Sequence, residues 1–391
     1  MSCDCAFRKT LRIKNFSYIP EKTVYLDYAA TNPVDIRIIG SMDAALRREW
    51  ANLSSLHNSG LAVWKKTEKI KEDIAGYFLS AGNNIEFCSS GTEAMHAVIY
   101  SMMKTATFII SGAAEHASIV HPLRHLKKQS LLVKPGSDGY INIAELEKIF
   151  KKFPGSCFIY SPVQHESGNL QDIKNIFSCA RRYGVLICID GVQTASRLSP
   201  EEWTPFCDLF TVSGHKIYGC KGIAMLVKNN KNIRLRPFRF GNPACTGLFP
   251  GTANIPGIYA LGQAVSLLSA EIRNDIKHLT GLSEEFTVML ESSGFEYYIE
   301  TGRQRAPGFF LVSIPAITDM EDFFLFLAGK NICLSRFSAC TSRVSGPSKI
   351  LTLMGRNRER ACSSLRISMG RFTQRSDLFK LLQAVRGYLK A

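Results

Sequence analysis

The chain has 391 residues, long enough for two or three domains and a large buried core. With 46% hydrophobic and 21% charged residues it has the composition of a globular protein, and no continuous apolar run approaches the roughly 18 to 20 residues that span a bilayer. The net charge of +15 favours an anionic partner, and it is uneven: from Lys330 onward 13 Lys and Arg face two acids, Glu359 and Asp377.

The first ten residues, M-S-C-D-C-A-F-R-K-T, are polar and basic without an apolar centre, which predicts no secretory signal and a cytoplasmic address. Short apolar runs then alternate with amphipathic segments. N-I-E-F-C-S (84–89), T-F-I-I-S (107–111), S-C-F-I-Y-S (156–161), V-L-I-C-I-D (185–190), L-F-T-V-S (209–213) and I-A-M-L-V (223–227) read as buried strands. I-K-N-I-F-S-C-A-R-R-Y-G between two of them reads as a helix stopped by Gly184. Such alternation predicts an α/β fold with a mainly parallel sheet covered by helices, and ligands bind at the carboxyl ends of such strands. Near G-T-A-N-I-P-G-I the pattern changes to a long helical stretch from Leu261 to Leu290, followed by the strand-like G-F-F-L-V-S-I (308–314). This predicts a large unit over residues 21–260 and a smaller α+β unit formed by 1–20 and 261–391.

The strand ends carry the chemistry. Asp190 closes V-L-I-C-I-D, where a carboxylate is costly to bury without a hydrogen-bonding or cationic partner. The next strand ends in S-G-H-K, offering Ser213, His215 and Lys216, and a partly desolvated lysine is a candidate Schiff-base nucleophile. After the 84–89 run, S-G-T-E-A-M-H turns into a helix whose free amide N–H groups, at Gly91 and Thr92, suit an anion. A lysine, a buried acid and an anion cradle together point to pyridoxal phosphate. Each feature alone also has a structural explanation, as an ion pair or a packing turn.

Twelve cysteines are scattered without a C-x-x-C pair, and Cys157, Cys179 and Cys188 sit in apolar runs where a thiol acts as a small hydrophobe. Cys340 differs. It lies in F-S-A-C-T-S-R, among small and hydroxyl residues typical of a loop, with Arg336 and Arg343 near enough in sequence to favour a thiolate.

V-Y-L-D-Y-A-A-T-N-P-V-D, S-S-G-T-E-A, A-E-H-A-S-I, D-G-V-Q-T, S-G-H-K-I-Y-G-C-K-G, P-G-T-A-N-I-P-G, F-S-A-C-T-S and S-S-L-R-I-S-M-G-R-F-T follow one another from Val24 to Phe372. In order and spacing they resemble the NifS/IscS-like cysteine desulfurases, class V members of PLP-dependent fold type I. The resemblance implies a seven-stranded sheet and a homodimer that converts L-cysteine to L-alanine. It implies that Lys216 binds the cofactor and shuttles protons, that Asp190 pairs with the pyridinium nitrogen, and that Gln193 bonds the phenolic oxygen. His116 would stack on the ring and assist proton transfer. Gly91, Thr92, Ser213 and His215 would cradle the phosphate, with Thr252 reaching it from the neighbouring subunit. Arg366 would clamp the substrate carboxylate, and Cys340 would take the sulfur as a persulfide. Acceptors would be an iron–sulfur scaffold protein or a tRNA-thiolation partner, with no membrane involved.

Two departures from the family pattern stand out. V-Q-H-E-S-G places His165 where the family has an asparagine that contacts cofactor and substrate, and a histidine there predicts an altered pH dependence. T-G-L-F places Thr246 and Phe249 where the family has two arginines. These departures keep two rivals open: a related lyase acting on another amino acid such as selenocysteine, and a binding protein with a decayed site.

Overall fold

The computed structural model describes residues 23–81, 84–125, 129–237, 239–241, 247–336 and 346–390. In chain order its strands are β1 (Val24–Tyr25), β2 (Ile85–Cys88), β3 (Ile109–Gly112), β4 (Ser130–Val133), β5 (Cys157–Tyr160) and β6 (Leu186–Asp190). They continue with β7 (Leu209–Ser213), β8 (Ala224–Lys228), β9 (Tyr298–Ile299), β10 (Phe309–Ser313), β11 (Ile332–Cys333) and β12 (Ser364–Ser368).

Seven strands form one sheet in the order β2-β8-β7-β6-β5-β3-β4. From β7 to β4 every pairing is parallel, and β8 runs antiparallel to both β7 and β2. Two reversals leave β2 parallel to β7, so β2, β3, β5, β6 and β7 all end on the same edge. Every residue of β5 and β7 is buried, as expected of strands covered on both faces. All six strands read from sequence are present. The reading passed over β4, an edge strand whose S-L-L-V is buried only at Val133 and so lacks the signature of its neighbours.

Helix boundaries follow local chemistry. Ser90 caps helix Gly91–Thr105 by accepting from Glu93 N at 3.2 Å. Helix Ile173–Arg182 ends before Gly184, whose φ of +64° is the left-handed stop a glycine supplies. Helix Ile255–Glu291 starts inside the P-G-T-A-N-I-P-G motif, where Asn254 accepts from Gly257 N at 3.1 Å. By length and composition the most apolar window of this helix is long and apolar enough to cross a membrane. A little over half of that window is buried inside the protein. Ile258, Leu261 and Val265 join the core of the large sheet, and Leu279, Leu282 and Phe286 join a second core.

That second core is built on the antiparallel sheet β12-β10-β9. β1, near the start of the chain, pairs with β11 in parallel and adds Val24 and Leu26 to it. Asp27 bridges onward to Ser368 at the end of β12.

Candidate active site

The common strand edge opens on a cavity of about 260 Å³. Gly91, Thr92, His116, His165 and Asp190 line it, as do Gln193, Ser213, His215, Lys216 and Arg366. Thr252 does not: it lines a second cavity of about 720 Å³, beside Leu56 and Trp64. Cys340, Arg343 and Thr246 lie outside the described residues. Phe249 is buried against the helix Gly91–Thr105 side of the sheet, among Ala94, Val98 and Leu248.

One wall is built for an anion. After β2 the chain turns through Ser89 and Ser90 into the helix at Gly91, directing first-turn amides and the positive end of the helix dipole at the cavity. A Cβ on residue 91 would come within 3.0 Å of Val192 Cγ2, so glycine keeps this wall open. Ser213 adjoins it, its Cβ 4.0 Å from where a Cβ on residue 91 would lie, and His215 lines the same cavity with Nδ1 3.1 Å from Thr31 Oγ1. Burial, with Lys216 and Lys221 nearby, pushes the His215 imidazole down to about 4, so the ring is neutral and adds no charge to this wall.

At the centre, Asp190 accepts from Val192 N at 3.1 Å and Thr211 Oγ1 at 3.5 Å. Burial pulls its carboxyl upward, opposed by His116 and Lys216. A cation arriving beside it would favour the charged carboxylate. Lys216 follows β7 on a single turn and donates from Nζ to the carbonyls of Ala29 and, at 2.8 Å, Ala30. Gln193 donates to the same Ala29 carbonyl at 2.8 Å, and Asn32 Nδ2 holds the Lys216 carbonyl at 2.7 Å. The Y-A-A-T-N segment thus braces the lysine from the N-terminal side.

His116 and His165 meet edge to face, ring centroids 5.4 Å apart. A histidine at this position is expected from its intrinsic basicity to titrate near neutrality, and the structure corrects this. Burial, reinforced by His116 and Arg366, pushes its imidazole well below the usual range, so it is a neutral ring at physiological pH. Arg366, 1% exposed on β12, donates to the His165 carbonyl at 3.0 Å and to Asp27 Oδ1 at 2.9 Å. Its Nε is buried without a hydrogen-bond partner.

Sequence reasoning missed Asp27, although it lies in the quoted V-Y-L-D-Y: a carboxylate closing an apolar run, like Asp190. It also missed Glu115, which accepts from Ser161 Oγ at 2.6 Å and is pushed up to about 7 by burial. Glu166, likewise raised by burial, accepts from Ser348 Oγ at 2.8 Å. Both acids sit in quoted motifs, but nothing in their spacing marks them as buried.

The donor set fits pyridoxal phosphate: an amine on Lys216, a buried acid on Asp190, an amide-lined wall for phosphate, and in Arg366 an orphaned guanidinium nitrogen suited to a carboxylate. A mostly parallel sheet presenting this set at one edge defines a fold type I PLP-dependent enzyme. The aminotransferase class-V family model matches residues 24–381. Cysteine desulfurase IscS of Buchnera aphidicola subsp. Schizaphis graminum is 30% identical, over 93% of this chain and 91% of that protein. The mitosomal cysteine desulfurase of Encephalitozoon cuniculi is also 30% identical, over 91% of this chain and 84% of its own. The solved NifS-like protein from Rickettsia africae superposes with a TM-score of 0.85 at 26% identity, covering 94% of this chain and all of that one. The chain therefore belongs to the class-V aminotransferase family, among its IscS/NifS-like cysteine desulfurases. Members of this family depend on pyridoxal phosphate.

Proposed function

We propose that the protein is a cysteine desulfurase that converts L-cysteine to L-alanine and passes the sulfur on through Cys340. The observation that carries the reading is the convergence of Lys216, Asp190 and Arg366 on one small cavity. Bound pyridoxal phosphate supplies an electron sink that loosens bonds around the substrate's α- and β-carbons. Lys216 anchors the cofactor and moves the α-proton at Nζ, and Asp190 holds a proton on the pyridine nitrogen. Gly91, Thr92, Ser213 and His215 bind the phosphate, Gln193 the phenolic oxygen. Arg366 orients the substrate through its carboxylate. His165 would contact the cofactor and the substrate from the position where the family has an asparagine. The net transfer moves one sulfur atom from L-cysteine to the Cys340 thiol, giving a persulfide and leaving L-alanine.

Loaded protein should release alanine from L-cysteine, and the Cys340 peptide should gain the mass of one sulfur. Equal alanine release by Cys340→Ala would sink the persulfide step. A panel with L-selenocysteine separates the desulfurase from a lyase of other specificity, and failure to take up PLP would return the decayed-site reading.

The same proposal includes a homodimer, with Thr252 reaching across beside the exposed Leu56 and Trp64, and a division into residues 21–260 and 1–20 with 261–391, in which Val24 and Leu26 of the first stretch also pack into the core of the smaller unit. Sedimentation of the loaded protein tests the dimer. The proposed acceptor is an iron–sulfur scaffold protein or a tRNA-thiolation partner, and the proposed setting is the cytoplasm. The Encephalitozoon relative is named as mitosomal, so localisation of the tagged full chain is the deciding measurement.

A further inference from the structure

His116 stands just ahead of helix Ala117–His125, and two groups of Ser118 converge on its Nδ1. The Ser118 backbone N–H donates to it at 3.2 Å, and the Ser118 hydroxyl lies 2.8 Å away. An amide N–H can only donate, so Nδ1 is an acceptor and the neutral ring carries its one proton on Nε2.

The neighbouring ring is set in the same sense. Gln164 Oε1 accepts from the backbone N–H groups of Glu166 at 2.8 Å and Ser167 at 2.6 Å, which settles which end of the amide is oxygen. Gln164 Nε2 therefore donates, to the Ala114 carbonyl at 2.9 Å, and lies 3.4 Å from His165 Nδ1. Burial favours the neutral form of both rings. Around His116 stand Asp190, which favours protonation, and Lys216, Lys349 and His121, which oppose it; Arg366, Lys349 and Lys216 oppose it at His165.

We propose that Ser118 is a positioning residue that holds His116 in the Nε2–H tautomer, so that His116 enters the reaction as a hydrogen-bond donor and not as a base. The inference rests on the reading of this cavity as the PLP site. It has a consequence for proton traffic. The nitrogen of His116 turned away from Ser118 already bears its proton, so a proton leaving the substrate goes to another group; of the two lysines lining the cavity, Lys216 and Lys221, the reading of this site assigns that role to Lys216 Nζ.

The test is nitrogen NMR of the loaded protein carrying isotope-labelled histidine, with the His116 signals assigned by their loss in His116→Gln. At neutral pH the expected pattern is a protonated Nε2 and an unprotonated Nδ1, the latter shifted upfield by the bonds it accepts. Ser118→Ala should move that Nδ1 signal downfield by several ppm, and Ser118→Thr, which keeps the hydroxyl, should leave it near the wild-type position. A protonated Nδ1 in the wild type, or an Nδ1 signal unmoved in Ser118→Ala, overturns the proposal. The cofactor's absorption band is recorded on the same samples. A band with the wrong tautomer sinks this inference alone; no band sinks the site reading, and the tautomer is still read from the spectrum.

Discussion

Replacing Asp27 by alanine removes the carboxylate that neutralises Arg366. The Arg366 side chain is 2% exposed and that of Asp27 16%, so the guanidinium would be left charged in a site nearly closed to water. Taking away one partner of a buried ion pair costs on the order of 3–5 kcal/mol. Here the lower end applies, about 3 kcal/mol. Asp27 is partly solvated, and Arg366 keeps its 3.0 Å bond to the His165 carbonyl, although the bond from Ser335 Oγ to Asp27 Oδ2 at 2.7 Å is also lost. Urea unfolding of the loaded protein should show this loss. Asp27→Asn, which keeps the shape but not the charge, should lose roughly half as much. L-alanine, whose carboxylate can stand in for the missing charge, should raise the midpoint more in Asp27→Ala than in wild type. A loss below about 1 kcal/mol with no extra response to L-alanine would refute the idea that Asp27 holds Arg366.

Gly168→Ala should destabilise by roughly 2–4 kcal/mol, because φ is +74° and a Cβ there would lie 2.5 Å from the Phe309 ring; thermal unfolding checks it. His215 titrates near 6.5 when unfolded and about 4 when folded, so the unfolded chain binds more protons between these values, and stability should fall as pH is lowered through that window. Urea midpoints across it should decline in wild type and decline less in His215→Asn. Glu115 acts in the opposite sense. Its folded carboxyl keeps a proton up to about 7 where the unfolded one ionises near 4.5, so its favourable contribution, full below 4.5, is lost as pH rises through about 7. Glu115→Gln should therefore gain stability relative to wild type as pH rises from about 4.5 to about 7 and keep that gain above it, and a constant difference across this window would contradict the reasoning.

Much of the site was legible because its chemistry sits at the ends of apolar strands. Asp190 and Lys216 each follow a run whose burial the sequence announces, and the helix at Gly91 carries its own cap. β4 was not legible, since a half-exposed four-residue edge strand has no periodicity to detect. Asp27, Glu115 and Glu166 were missed for a related reason. Their partners Arg366, Ser161 and Ser348 lie 339, 46 and 182 residues away, and no local pattern encodes contacts at that range. The protonation of His165 was misjudged because burial, which the sequence of a turn does not reveal, outweighs the intrinsic pKa of the ring.

The segment from Asp27 to Asn32 touches both ends of the chemistry: the Ala29 and Ala30 carbonyls grip Lys216, and Asp27 grips Arg366. Ala29 N also bonds Ser368 Oγ at 2.9 Å. A ribosome synthesises one side of these contacts near the start of the chain and the other near its end. During translation the large sheet can assemble with its lysine in place while the carboxylate clamp does not yet exist. On the proposed role of Arg366, competence to bind an amino acid would arrive in a single late step, when β12 emerges and closes on the waiting N-terminal segment, and a chain truncated before Arg366 would lack the group proposed to orient a substrate.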